Sequence, residues 1–303
     1  MAWFSAAWHW YLTNASAINP IVTSVGAVGA FVSALALALA GLRNARTAAR
    51  RHEEQTNADR LRRITESFSK AVEQLASEKI EVRLGGIYTL ERISRESASD
   101  YWTVMETLTA FLRENRRWKE PDTVSAETLV SLYNDQKPKA TQQPEPTTDI
   151  AAVLSVIVRR DDKNRDREKS NGWRLNFRGS DLRGADLVGA HLEGVNLHEA
   201  HLEEAGLTEA HLEGAGLEGA HLEGTDLIEA HLEGAFLSDA HLERADLREA
   251  RLEGAFLRGA HLEGANLAGA EGIAPNQIAE AYGDSRTILP HWLTRPEHWA
   301  SGS

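Results

Sequence analysis

The sequence predicts an α-helical N-terminal half joined to an all-β solenoid. Three observations carry this. From Phe177 to Leu267 a large apolar residue returns at every fifth position. Between residues 43 and 118 the apolar residues follow the three-four spacing of an α-helix. Ahead of both, Ile21–Leu42 is a run of 22 residues without a charge.

Charge divides the chain in the same way. Its 303 residues carry 33 Lys and Arg against 45 Asp and Glu, a formal net charge of −12. Residues 171–270 hold 7 Lys and Arg against 19 Asp and Glu. That difference is also −12, so the rest of the chain balances and the acidity belongs to the repeat. Such a surface repels nucleic acid, so no direct nucleic-acid binding is expected. The chain has no cysteine, which excludes disulfides, thiolate metal sites and thiol nucleophiles.

The uncharged run IVTSVGAVGAFVSALALALAGL exceeds the roughly 20 residues that cross a bilayer as a helix. Asn19-Pro20 precedes it, and proline starts a helix more readily than it continues one. The expected anchor comprises Ile21, Val25, Val28, Phe31, Leu35 and Leu39, closed by Arg43 and Arg46. Arginines on one flank assign that flank to the cytoplasm. The expectation is therefore a single pass through the inner (cytoplasmic) membrane, with the N-terminus outside and the C-terminal bulk cytoplasmic. A cleaved signal peptide fits less well, because its basic n-region is missing and the apolar run is too long. In residues 1–20, Trp3, Phe4, Trp8, Trp10 and Tyr11 suit a membrane–water interface. Small residues at Gly26, Gly29, Ala30 and Ser33 leave homo-oligomerisation through the span open.

Residues 43–118 read as a helical stalk and bundle. Leu61, Ile64, Phe68, Ala71 and Leu75 form one stripe. Val82, Gly86, Leu90 and Ile93 share a face of the next helix, where Gly85 and Gly86 permit close contact. The stretch VRLGGIYTLERI resembles the second helix of a HEAT-type repeat, a unit that needs partners to bury its face. Those partners are expected from Trp102, Met105, Leu108, Thr109 and Leu112, on a helix capped by Asp100. Residues 119–148 hold four prolines and read as a linker, with a short helix around 125–133. In residues 149–170, an amphipathic helix capped by Thr148 or Asp149 is expected to cover the solenoid's first coil. The charged stretch DDKNRDREKSNG follows as a solvated connector.

Residues 171–270 repeat the unit A-x-L-x-x through 19 consecutive pentads. The residue two before each leucine is Ala, with Ser180, Val195 and Thr225 as exceptions. A period of five fits neither 3.6 nor 2.0, and a strict short repeat means a stacked array. Each pentad makes one side of a squared coil, with leucine and the small residue inward. Four pentads complete a turn, so residues 20 apart stack. At about 4.8 Å per coil the tower is roughly 23 Å tall. Both ends of such an array need covers. Residues 271–303 are expected to supply the far one through Ile273–Tyr282, with Trp292 and Trp299 beside it.

These pentads resemble the pentapeptide-repeat family, whose motif is A-(D/N)-L-x-x; GSDLRGADLVGA and GANLAGA carry it in its usual form. The resemblance implies a right-handed quadrilateral parallel β-helix with a helical C-terminal cap. The segments SEKIEVRLGGIYTLERISRESASDYWTVMETLTAFLRE and QIAEAYGDSRTILPHWLTRP are similar to regions that flank the repeats in bacterial members.

A ten-residue rhythm overlies the five. His191, His211, His231 and Arg251 precede alternate leucines and should stack on one face, half a coil from His201, His221, His241 and His261. Glu193, Glu213, Glu233 and Glu253 follow the first set, and Glu203, Glu223, Glu243 and Glu263 the second. Phe236 and Phe256 should touch on a third face. This His/Glu surface is the expected interaction face. A flat ladder offers metal ions a row of ligands rather than a cage, and no motif for nucleophilic or phosphate chemistry appears. No catalytic residue, cofactor or metal site is therefore expected. The leading expectation is a non-enzymatic, membrane-anchored scaffold for an unknown protein partner. One alternative follows from the resemblance: in quinolone-resistance members an acidic β-helix imitates duplex DNA and occupies gyrase. A membrane-acting stress or phage-defence effector is the other.

Overall fold

A computed structural model describes residues 2–118 and 146–300; the side chains of residues 2–4, 11, 15–31, 34 and 300 lie outside the description. The linker helix expected around 125–133 also lies outside it. The chain divides into two compact units, Met1–Glu66 and Ser67–Ser303.

The first unit is helical throughout its described length. Helix α1 (Ala2–Leu75) runs through Asn19-Pro20 without a break, so the boundary expected there is absent. A proline inside a helix removes one ladder hydrogen bond, and here the helix continues past that loss. Exposed pairs one turn apart, Arg50–Glu54 at 3.0 Å and Arg62–Glu66 at 2.9 Å, add a few tenths of a kcal/mol each.

The membrane assignment is corrected. Among the described residues, no helix is long and apolar enough to cross a membrane. Leu35 and Leu39 are exposed, while the side chains of Ile21, Val25, Val28 and Phe31 lie outside the described residues, as do those of Gly26, Gly29 and Ala30. The single-pass topology, the outside N-terminus and the inner-membrane location fall with that finding.

In the second unit α2 (Ile80–Glu96) packs on α3 (Tyr101–Asn115) and α4 (Thr148–Val158), which also touch each other. The bundle core holds Ile87, Leu90, Ile93, Val104, Met105, Leu108, Leu112, Ile150, Val153 and Ile157, all essentially buried. The predicted stripe on α1 is buried only toward its end, at Ala71 and Leu75; Leu61 is exposed. Gly86 is required here, since a Cβ on it would lie 2.7 Å from the Ala71 carbonyl oxygen, whereas Gly85 is exposed.

The helix ends differ from expectation. Asp100 makes no side-chain cap; its carboxylate instead accepts from the Ser97 hydroxyl. Ahead of α4 the Thr147 hydroxyl donates to Asp149 at 2.7 Å, and the buried Asp149 pairs with Arg83 at 2.7 Å. An ion partner is worth more to a buried carboxylate than a cap. The supposed connector forms α5 (Asp162–Asn171). The Asp161 carboxylate accepts from the Asn164 N–H at 2.8 Å, and Gly172 closes the helix in the left-handed region at φ 67°.

The repeat builds the four-sided coil. Residues 20 apart form isolated parallel bridges, such as His191 with His211 and Phe236 with Phe256, in place of long strands. At each corner an Ala N–H bonds back to the preceding leucine, as Ala190 does to Leu187 at 3.0 Å, while Leu187 N–H reaches Gly206 of the next coil at 2.8 Å. The third corner position has positive φ, the requirement of a type II turn, met by Gly189 at 61°. The inner Leu and Ala ladders are buried. Thr225 fits among the alanines because its hydroxyl donates to the Leu202 carbonyl at 2.8 Å.

Both ends are covered. The first coil is met by the segment leaving α3: Arg117 bridges Ser180 antiparallel, and Asp181 N–H bonds the Arg116 carbonyl at 2.6 Å. Helix α4, expected to be this cover, spends its apolar face on α2 and α3; Arg160 just beyond it donates to the His191 carbonyl. An extended segment can complete an open edge of N–H and C=O groups, which a helix cannot. At the far end, beyond α6 (Pro275–Ala279), Tyr282 bridges His261 and Ile288 bridges Asn266. Trp299 is buried against Gly283 and donates to the Ala281 carbonyl at 2.9 Å, while Trp292 stays half exposed.

Leu222 sits mid-tower and fully buried. Leu222→Ala should cost about 2–5 kcal/mol, read as a lower urea midpoint with the circular-dichroism spectrum of the folded state retained.

Candidate functional site

The residue before each leucine is the bridging residue, so its side chain projects outward one coil above its counterpart. This turns the ten-residue rhythm into two histidine ladders on opposite sides. In the first, His191 and His211 stack at 4.4 Å and 7°, and His211 and His231 meet at 4.4 Å but tilted by 43°. Arg251 continues the bridge register above His231. In the second, His201, His221, His241 and His261 stack at 4.2, 4.7 and 5.1 Å, all within 8° of parallel. Phe236 and Phe256 stack at 5.0 Å and are exposed.

The second ladder is closed at both ends. Trp118 lies on His201 at 3.7 Å, with the Arg183 guanidinium 4.6 Å from the Trp118 ring centroid. Tyr282 covers His261 at 4.9 Å. Beside Trp118 a cleft of about 990 Å³ is lined by Arg113, Arg117, Arg178, His201 and His221. Partial burial of Asp181 acts to raise its carboxyl pKa, yet the pKa is lowered because bonds from Arg183 and the charge of Arg116 outweigh it.

Most ladder glutamates sit against imidazoles. Nδ1 lies 3.1 Å from Oε1 in His191–Glu193 and His201–Glu203, and 3.0 Å in His211–Glu213. Further up the first ladder the pairing shifts back one coil, with His231 at 3.5 Å from Glu213 and Arg251 at 3.9 Å from Glu233. Glu253 is exposed. Burial alone would raise Glu193 and Glu203, but hydrogen bonds from their histidines and their own backbone lower both. The second oxygens of Glu203, Glu213, Glu223, Glu233, Glu243 and Glu263 are buried without a hydrogen-bond partner.

Two features escaped the sequence reading. Glu209, Glu229 and Glu249 occupy corner positions at φ 57–58°, where glycine is the relaxed choice. With Glu271, His211, His231 and Arg251 they line a groove of about 490 Å³ along the first ladder. Their 20-residue spacing was readable; that the corner requires positive φ was not. Trp118 and Tyr282 carry no periodic signal at all.

A four-sided stack of pentads defines a β-helical repeat protein. Residues 176–214, 205–244 and 240–271 match the family profile described as pentapeptide repeats, in eight copies. Solved structures similar to it include the pentapeptide repeat protein Rfr23 from the cyanobacterium Cyanothece 51142, at 27% identity over 43% of this chain and 99% of that one, with a TM-score of 0.35. HetL from Nostoc sp. strain PCC 7120, involved in heterocyst differentiation regulation, matches at 35% identity over 39% of this chain and 58% of its own, TM-score 0.21. Full-length QnrB1, a plasmid-mediated fluoroquinolone resistance protein, matches at 20% identity over 42% and 82%, TM-score 0.24. No curated protein matches.

Asp284 ties the far cover to the last coil, accepting from the Gly264 N–H at 3.0 Å and from Arg286 Nε at 2.7 Å. Burial acts to raise its pKa, but these bonds prevail and lower it to about 2. A depressed carboxylate stabilises above its unfolded value of 3.8 and loses that contribution as pH falls toward about 2. Hydrogen-exchange protection of the Gly264 amide should fall across that window, and Asp284→Ala should remove both the dependence and part of the protection at neutral pH.

Proposed function

We propose that the chain is a non-enzymatic protein-interaction module whose acidic β-helix is read by a basic partner protein. The contact face is the first ladder: His191, His211, His231 and Arg251, with Glu193, Glu213, Glu233 and Glu253 and the corner residues Glu209, Glu229 and Glu249. The observation that carries this is the corner column. A non-glycine residue in the left-handed region costs on the order of 1 kcal/mol, yet three stacked corners hold carboxylates there. They add charge beside an open groove, while the opposite ladder is closed by Trp118 and Tyr282.

A second reading, a DNA mimic acting on a DNA-binding protein such as gyrase, is favoured by charge density. Duplex DNA carries about 13 charges over roughly 23 Å, and residues 171–270 carry a net −12.

The triple variant Glu209→Lys, Glu229→Lys, Glu249→Lys tests the contact face. Quantitative crosslinking and pull-down should show partners lost by this variant and retained by Glu203→Lys, Glu223→Lys, Glu243→Lys on the closed side. Equal loss from both sinks the assignment of the face. Inhibition of gyrase supercoiling by micromolar wild-type protein selects the mimic.

A further inference from the structure

We propose that His211, Glu213 and His231 form a binding site for one divalent transition-metal ion of the zinc type. Five triads of histidine and glutamate along the two ladders bring their ligand atoms within 4.8 Å of one another, and ring orientation, with the donor set, singles out one of them. An imidazole nitrogen binds an ion in the plane of its ring. Two parallel rings stacked face to face point their lone pairs side by side, so no single ion lies in both planes. That applies to the triads built on His191–His211, His201–His221 and His221–His241, all within 8° of parallel; the fifth triad, Glu243, His261 and Glu263, offers one imidazole between two carboxylates, a harder donor set than zinc favours. The 43° tilt of His211 against His231 lets the two planes intersect.

The carboxylate sits at that intersection. Glu213 Oε1 is 3.0 Å from His211 Nδ1 and 3.5 Å from His231 Nδ1. A tetrahedral zinc ion with bonds of about 2.0–2.1 Å holds its ligands about 3.3 Å apart, so two edges of the triangle already have the required length. The third edge, between the imidazoles, closes by rotation of two partly exposed rings. The proton of each neutral imidazole resides on Nε2 in the bound state, and the ion takes the place of the Nδ1 protons. The other oxygen of Glu213 is buried without a partner, which leaves it free to share the ion's charge. Imidazole with carboxylate is a donor set that suits zinc or copper and gives calcium or magnesium little.

The test uses the full, tag-free chain, titrated calorimetrically with Zn²⁺ and spectroscopically with Co²⁺. One ion per chain is expected, with the intense visible bands of tetrahedral cobalt, displaced by zinc. His231→Gln and Glu213→Gln should each weaken binding by at least the roughly 10- to 100-fold seen for lost outer-sphere partners. His221→Gln, within a parallel stack, should leave it unchanged. Zinc should shift the ring nitrogen resonances of His211 and His231 in the wild-type chain, a readout independent of any variant's folding. Absence of saturable binding, two or more ions per chain, or equal losses from His221→Gln and His231→Gln would overturn the proposal.

Discussion

The second unit depends on one constraint, the closing of a backbone turn every five residues. Each corner returns the N–H of its small residue, nearly always Ala, to the preceding large apolar residue, and each side hands its remaining groups to the coil 20 residues on. With polar groups satisfied between neighbouring coils, the interior needs only apolar bulk, which leucine and alanine supply in alternating ladders. The corner sets the outer surface as well. Because it fixes which residues point outward and at what interval, a side chain chosen once is copied upward as a column. The histidine stacks, the phenylalanine pair and the glutamate corners are all products of that copying.

The sequence was most informative where its period was strictest. Leucine at every fifth position and alanine two before it were enough to place His191 over His211 and Phe236 over Phe256, since a stacking interval of 20 leaves no other register. It was least informative where one contact decides. Nothing local says that Asp149 abandons a helix cap for Arg83, or that Trp118 leaves α3 to lie on His201. Both depend on partners more than 60 residues away. The charged stretch read as a connector had a cap at Asp161 and a stop at Gly172 in plain view; its polarity on every side masked them.

The two ladders share a sequence unit and differ in surroundings. On one side the stack runs from Arg183 and Trp118 through four imidazoles to Tyr282. Its rings stay parallel along the whole stack, with Trp118 stacked on one end and Tyr282 tilted over the other. On the other, the series ends at Arg251, His231 leans away, and its nearest carboxylate belongs to the coil below. The end plates come from non-repeat segments, while Arg251 is the repeat's own departure from histidine. A protein assembled from near-identical units thereby acquires one ladder plated at both ends and one that ends in a cation.

The aromatic column also constrains how such a chain can change length during evolution. Its two end plates come from outside the repeat and sit on the same side, at Trp118 and Tyr282. Gaining or losing twenty residues adds or removes a full storey and leaves both plates over histidines. Gaining ten, the unit that duplication would most readily copy, turns everything beyond the insertion, Tyr282 included, by half a revolution and leaves the two plates on opposite ladders. Viable length variants should therefore come in steps of two copied units, so that the tower's size is quantised by its end plates and not by its repeat.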